Sequence, residues 1–213
     1  MNLKIKKYKD QNHVWPKQGK HILAQYNDDY IVVYQAYQKS LGRFAVENQF
    51  FGGEFSFKRM TWIKPNFLWM MYRSGWGTKP GQEITLAIKL KRSIFNDYLT
   101  TAVASSFSQS PLESHEKWKT TLTDSEVRLQ WDPDHHPIGT KEIRKAIQLG
   151  IRGTQLAAFK GEAIIEIEDI SDFVSKQREC ANTQQLDSLL MPEESIYVPE
   201  DSVCIVNIGL DLL

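Results

Sequence analysis

Residues 57–76 read F-K-R-M-T-W-I-K-P-N-F-L-W-M-M-Y-R-S-G-W. Residues 60–63 suit a short strand. Pro65 stands where a helix tolerates proline, at a first position whose N–H has no intrahelical partner. Gly75 can close that helix in the left-handed conformation that costs glycine little. Between these signals Phe67, Leu68, Trp69, Met70, Met71 and Tyr72 put apolar surface on every face. A helix apolar all round belongs in an interior. The stretch therefore predicts a strand leading into a core helix.

Upstream, Tyr30 to Tyr37 (Y-I-V-V-Y-Q-A-Y) is β-branched and aromatic and follows the turn residues Asn27-Asp28-Asp29, which predicts a buried strand. Residues 40–48 carry Leu41, Phe44 and Ala45 at helical spacing, with a break at Gly52-Gly53. Residues 1–20, rich in Lys, Asn and Gln, read as an extended lead-in to one domain over 21–213.

Downstream, residues 84–90 (I-T-L-A-I-K-L) alternate as a strand, and 93–104 follow as a helix with Ile94, Tyr98 and Leu99 inward. Residues 109–124 are polar, with a short helix around Trp118. A strand over 127–131 ends in the turn chemistry Asp132-Pro133-Asp134. Residues 145–151 fit a strand or a helix end. A strand over 163–170 leads to a polar helix near 173–178, an acidic linker over 191–201 and a late strand over 203–208. Strands and helices mix without a regular βαβ repeat, which predicts an α+β fold rather than a doubly wound sheet.

The 213 residues carry 26 Lys+Arg against 26 Asp+Glu and are 41% hydrophobic, a soluble globular composition. Zero net charge argues against loose, sequence-independent attraction to nucleic acid or anionic membrane, and leaves a local basic groove open. No apolar run approaches a membrane span and the start lacks an apolar leader, so a cytoplasmic protein is expected. Cys180 and Cys204 lack metal or redox spacing and read as reduced thiols. The dinucleotide, P-loop, zinc-protease and nucleophile-elbow signatures are absent. His135-His136 reads as a solvated turn, and no metal is expected.

Residues 59–76 resemble an uncharacterised bacterial and fungal family known as a domain of unknown function. The resemblance extends to residues 26–37, to Q-E-x-x-L-A-I at 82–88, V-R-x-Q-W-D-P at 127–133, A-I-Q-L-G-I at 146–151 and I-E-D-I-S at 167–171. The chain departs from that pattern at Lys20 and Lys145, where arginine is common, and at Asp134-His135, where Glu-Arg follows the D-P pair. Lysine keeps the charge and loses the bidentate fork, which weakens a phosphate role there.

The order of elements is also similar to ADP-ribosyltransferase domains, above all the DNA-modifying and RNA 2′-phosphotransferase branches. That resemblance implies a split mixed or antiparallel sheet with packed helices, holding NAD between two facing strands. Tyr34, Gln35 and Tyr37 would then line one wall and Thr61, Trp62 and Lys64 the other, with Tyr72 stacking nearby and Arg59 gripping phosphate. The implied activity is NAD-dependent ADP-ribosyl transfer to a nucleic acid or nucleotide. A non-catalytic single-stranded RNA or DNA binder, using Trp62, Trp131 and Tyr72 as stacking platforms, and an enzyme acting on a small phosphorylated metabolite are the alternatives.

Arg59, Lys64, Arg73, Arg92 and Arg144 lie beside apolar segments. Such cations reach water or meet an anion, either a ligand phosphate or a local carboxylate such as Glu83 or Asp132. Gln130, Trp131 and Asp132 end a strand and, with Arg144 and Gln148, are candidate substrate contacts. Glu166 and Glu168 share one strand face and could supply a catalytic carboxylate, or simply face solvent. Arg73 is the basic candidate for catalysis. The phosphotransferase branch uses basic residues in place of a glutamate, which would shift weight to Arg59, Arg73 and Arg144.

Overall fold

The computed structural model describes residues 3–212. The chain begins with β1 (Ile5–Lys7), α1 (Tyr8–Val14), β2 (Ile22–Ala24), β3 (Tyr30–Tyr37) and α2 (Lys39–Asn48). Then come β4 (Thr61–Ile63), α3 (Phe67–Ser74), β5 (Ile84–Lys91), α4 (Arg92–Thr101), β6 (Val103–Ala104) and α5 (His115–Asp124). A long hairpin of β7 (Val127–His135) and β8 (Lys141–Ile151) precedes α6 (Gly153–Ala157), β9 (Ile164–Asp169) and α7 (Ser171–Asn182). The chain closes with β10 (Leu190–Pro192), β11 (Ser195–Tyr197) and α8 (Ser202–Ile208).

The fold is α+β, with two principal sheets. One is antiparallel in the order β3-β5-β9, and the other runs β4-β8-β7-β6, with β6 parallel to β7 and the other pairs antiparallel. Two short antiparallel ribbons, β1-β10 and β2-β11, tie the amino-terminal part of the chain to its carboxy-terminal part.

Side-chain alternation explains why residues 31–34 of β3 are apolar without a break. Ile31 and Val33 enter a core shared with Leu129, Trp131, Leu149 and Ile151 of the other sheet. Val32 and Tyr34 enter a second core with Phe67, Leu68, Met70 and Met71 of α3 and Val174 of α7. A strand buried on both faces needs no polar positions.

α3 forms where its signals lie, one step displaced. Pro65 precedes the helix, and Asn66 is its N-cap, its side chain accepting from the Trp69 N–H at 2.6 Å. Gly75 ends it in the left-handed region, at φ 60°. The helix is buried over Phe67–Met71, whereas Tyr72 is 42% exposed.

Other expectations are corrected. Of the expected lead-in, residues 1 and 2 lie outside the described residues, and 5–14 form β1 and α1 rather than an extended segment. Asp132-Pro133-Asp134 is no turn, because β7 runs through it to His135, with a register shift between Pro133 and His135 that accommodates the missing proline N–H. The acidic linker contains β10 and β11. The late strand is a helix, α8, capped by Asp201 accepting from the Val203 N–H at 2.8 Å and by Gly209 at φ 63°.

Candidate functional site

The two sheets meet at the edge strands β3 and β4 through one antiparallel bridge. Tyr34 N–H donates to the Lys64 carbonyl at 2.7 Å, and Lys64 N–H to the Tyr34 carbonyl at 3.3 Å. Beyond that bridge the strands part, and side chains replace the backbone ladder. Gln35 Nε2 donates to Thr61 Oγ1 at 2.7 Å and to the Trp62 carbonyl at 3.2 Å, and Tyr37 Oη lies 3.0 Å from Thr61 Oγ1. A carbonyl can only accept, so the Trp62 contact fixes the Gln35 amide with its nitrogen inward. Its Oε1 is then left buried with no hydrogen-bond partner.

A cleft of about 590 Å³ opens at this parting, within the usual range for small-molecule sites. The β3–β4 side contributes Gln35, Tyr37, Thr61, Trp62 and Lys64; Arg59 enters from the loop before β4, Arg73 from α3, and Gln130 and Gln148 from the β7–β8 hairpin. The last two are register partners. Asp132 accepts from Gln130 Nε2 at 2.8 Å and from Gln148 Nε2 at 2.7 Å, so a single carboxylate orients both amides.

The charges divide sharply. Arg92 pairs with Asp28 and Glu200, and Arg144 pairs with Asp134 at 2.6 Å with both side chains buried. Arg59, Lys64 and Arg73 make no salt bridge among the described residues. The nearest polar partner of Arg73 is Gln82 Oε1 at 3.5 Å. Lys64 is only 5% exposed, with one carbonyl acceptor, that of Trp62, at 3.4 Å, and with the Trp69 ring 5.2 Å from its Nζ. Burial pulls its ammonium down to about 7; Arg73 adds to the shift and Asp132 opposes it. Burial raises the Asp132 carboxyl, against the two glutamine amides, Lys64 and Lys145.

Several expected site residues lie elsewhere. Trp131 is core, its Nε1 donating to the Ile208 carbonyl at 2.8 Å. Tyr34 is fully buried against Phe67. Tyr72 stacks on His135 at 3.5 Å, on a second cavity bounded by Trp76, His136 and Arg178, so His135 is a buried stacking partner rather than a solvated turn residue. Glu166 and Glu168 sit on β9, which β5 separates from β3, and neither lines the cleft; Glu166 pairs with Lys89 at 2.9 Å. Arg144 braces the scaffold: besides Asp134 it donates to the Pro16 carbonyl at 2.6 Å, and it lies over the Trp15 ring.

Sequence reasoning passed over Glu194, which sat inside the supposed linker. This carboxylate is buried and accepts from the Phe67 N–H at 2.6 Å, at the start of the helix that carries Arg73 and Trp69. Burial raises its pKa well above the ordinary carboxylate range, against the Phe67 hydrogen bond. An uncharged acceptor should therefore serve as well. Glu194→Gln is expected to unfold within about 1 kcal/mol of the parent, and Glu194→Ala to lose about 1–3 kcal/mol by orphaning a buried N–H. Urea unfolding of both variants checks this.

The fold and this geometry define a class: an α+β protein with a basic, glutamine-lined cleft where two sheets separate. Residues 21–197 match the family model described as "Domain of unknown function (DUF4291)", and the chain belongs to that family. No curated protein matches it. Among the described residues no helix is long and apolar enough to cross a membrane.

Proposed function

We propose that the cleft binds a phosphorylated nucleotide and that the protein is an NAD-dependent ADP-ribosyltransferase-like enzyme acting on a nucleic acid or nucleotide. The observation that carries this is the convergence of Arg59, Lys64 and Arg73 on one cleft with no carboxylate pairing them among the described residues. Positive side chains without protein anions suit a ligand that brings its own, and guanidinium groups match phosphate geometry.

The other lining groups fit NAD by complementary polarity. Gln35 offers a buried, unpartnered acceptor of the kind that a carboxamide or ribose hydroxyl would satisfy. Trp62, partly buried in the wall, offers a ring edge or face to a base. In the transfer, the bond from ribose C1′ to the nicotinamide nitrogen breaks and nicotinamide leaves with the electron pair, while an acceptor oxygen or nitrogen bonds to C1′ and releases its proton. Because no lining residue is a carboxylate and Glu166 and Glu168 stand on β9, the reading follows the branch that works with basic residues.

The experiment is thermal unfolding with and without NAD, followed by assay of released nicotinamide in the presence of RNA, DNA and nucleotides. Stabilisation by NAD with nicotinamide release is the expected result. Salt-dependent binding of a single-stranded oligonucleotide without turnover would favour a non-catalytic module instead. That module is the weaker reading, since Trp131 and Tyr72, expected as stacking platforms, do not line the cleft. Stabilisation only by a small phosphorylated metabolite would favour the remaining alternative.

A further inference from the structure

We propose that Lys64 adjusts the charge of the cleft to its guest: a doubly charged, phosphate-like anion binds between Lys64, Arg59 and Arg73 together with a proton that Lys64 takes up. This rests on the reading of the cleft as an anion grip and not on the transfer chemistry.

The geometry is that of a lysine held in waiting. Backbone bonds to Tyr34 fix Lys64 at the bridge between the sheets, and its side chain is buried in the cleft wall. An ammonium has three donors, and here one weak carbonyl contact at 3.4 Å meets them. The charged and titratable groups around it come from every neighbouring element: Arg73 from α3, Arg59 from the loop before β4, Tyr37 from β3, and Asp132 from β7. Asp132 is engaged by Gln130 and Gln148, so it is no free counter-ion. Trp69 adds the face of its ring.

In such surroundings the empty-handed lysine loses its proton near neutrality, at about 7. An anion alongside reverses the balance, because an opposite charge favours the charged form. The sign follows from linkage. Below about 7 Lys64 is already charged and binding takes up no proton, whereas above it each anion bound brings one proton with it. Affinity then falls by as much as about tenfold per pH unit above about 7, until the proton no longer stays on in the complex.

Inorganic sulfate, doubly charged throughout this range, is the probe. Calorimetric titrations of the full chain at about pH 6 and about pH 8, in buffers of different ionisation heat, count the protons taken up. Uptake approaching one proton per sulfate at the higher pH, and little at the lower, is expected. In Lys64→Arg, whose charge is permanent, uptake should vanish and affinity should stay flat with pH. Lys64→Met, an uncharged side chain of similar length, should bind more weakly at the lower pH and also without uptake. Absence of sulfate binding in the parent, binding without proton uptake at the higher pH, or uptake that persists in either variant would overturn the proposal. If neither variant folds, the parent's own proton count decides. Proton-linked sulfate binding without nicotinamide release from NAD would overturn the transferase reading alone, whereas nicotinamide release without proton-linked sulfate binding would overturn this inference alone.

Discussion

Arg144→Met is expected to lower the unfolding free energy by about 3–5 kcal/mol, the usual cost of leaving a buried charge without its partner. Arg144 and Asp134 have side-chain exposures of 3% and 1%, and two guanidinium nitrogens reach the same carboxylate oxygen, at 2.9 and 2.6 Å. A third reaches the Pro16 carbonyl, which fastens the end of the amino-terminal segment to β8. Burial already raises the Asp134 carboxyl, and Arg144 is the main group holding it down. Without Arg144 the acid must protonate or remain an uncompensated anion. The double replacement Arg144→Met with Asp134→Leu should recover most of the loss, since it removes both charges from the interior. Urea unfolding of both variants at neutral pH tests this. A single-variant loss below about 1 kcal/mol would mean that the pair is solvated and does not brace the scaffold.

Arg59→Ala and Arg73→Ala should behave in the opposite way, leaving the fold intact while removing binding. Both side chains are exposed and make no salt bridge among the described residues. Their loss should change stability by no more than about 0.5 kcal/mol. A charge-assisted hydrogen bond to phosphate is worth about 1.5–3 kcal/mol, so each variant should weaken NAD binding about 10–100-fold. Arg92→Ala is the control, because that guanidinium is committed to Asp28 and Glu200 and its loss should leave NAD affinity unchanged. Equal effects of all three variants on affinity would point to a diffuse field instead of a site.

Much of the scaffold was legible in the chain because its strongest patterns are local. The run of β3, the Gly75 cap of α3, and the Asn27 turn, where Oδ1 accepts from Asp29 and Tyr30 N–H groups at 2.9 Å, all act over a few residues. α8 was misread because V-C-I-V-N-I is β-branched, although Asp201 before it and Gly209 after it are the caps of a helix. Trp131 could have been sorted correctly. Alternation along β7 sends Gln130 and Asp132 to one face and Trp131 to the other, into the core.

Strand order was not legible. Glu166 and Glu168 do share a face, opposite Lys89 and Ala87, but only the order β3-β5-β9 decides that β9 is remote from β4 and the cleft. Nor does local pattern reveal which cation finds a carboxylate. Arg144 meets Asp134 across a hairpin, and Arg92 meets Glu200 from the far end of the chain. Of the five cations singled out from the sequence, Arg59, Lys64 and Arg73 are the three that the folded chain leaves around this cleft.

A crystal of the protein soaked with NAD tests the anion grip most directly. Density for the diphosphate within hydrogen-bond reach of Arg59, Lys64 and Arg73, with a donor of the ligand on Gln35 Oε1, is the result predicted. A cleft that stays free of ligand at saturating NAD, or NAD bound in the cavity beside Tyr72 and Trp76 with the three cations turned to solvent, would contradict it.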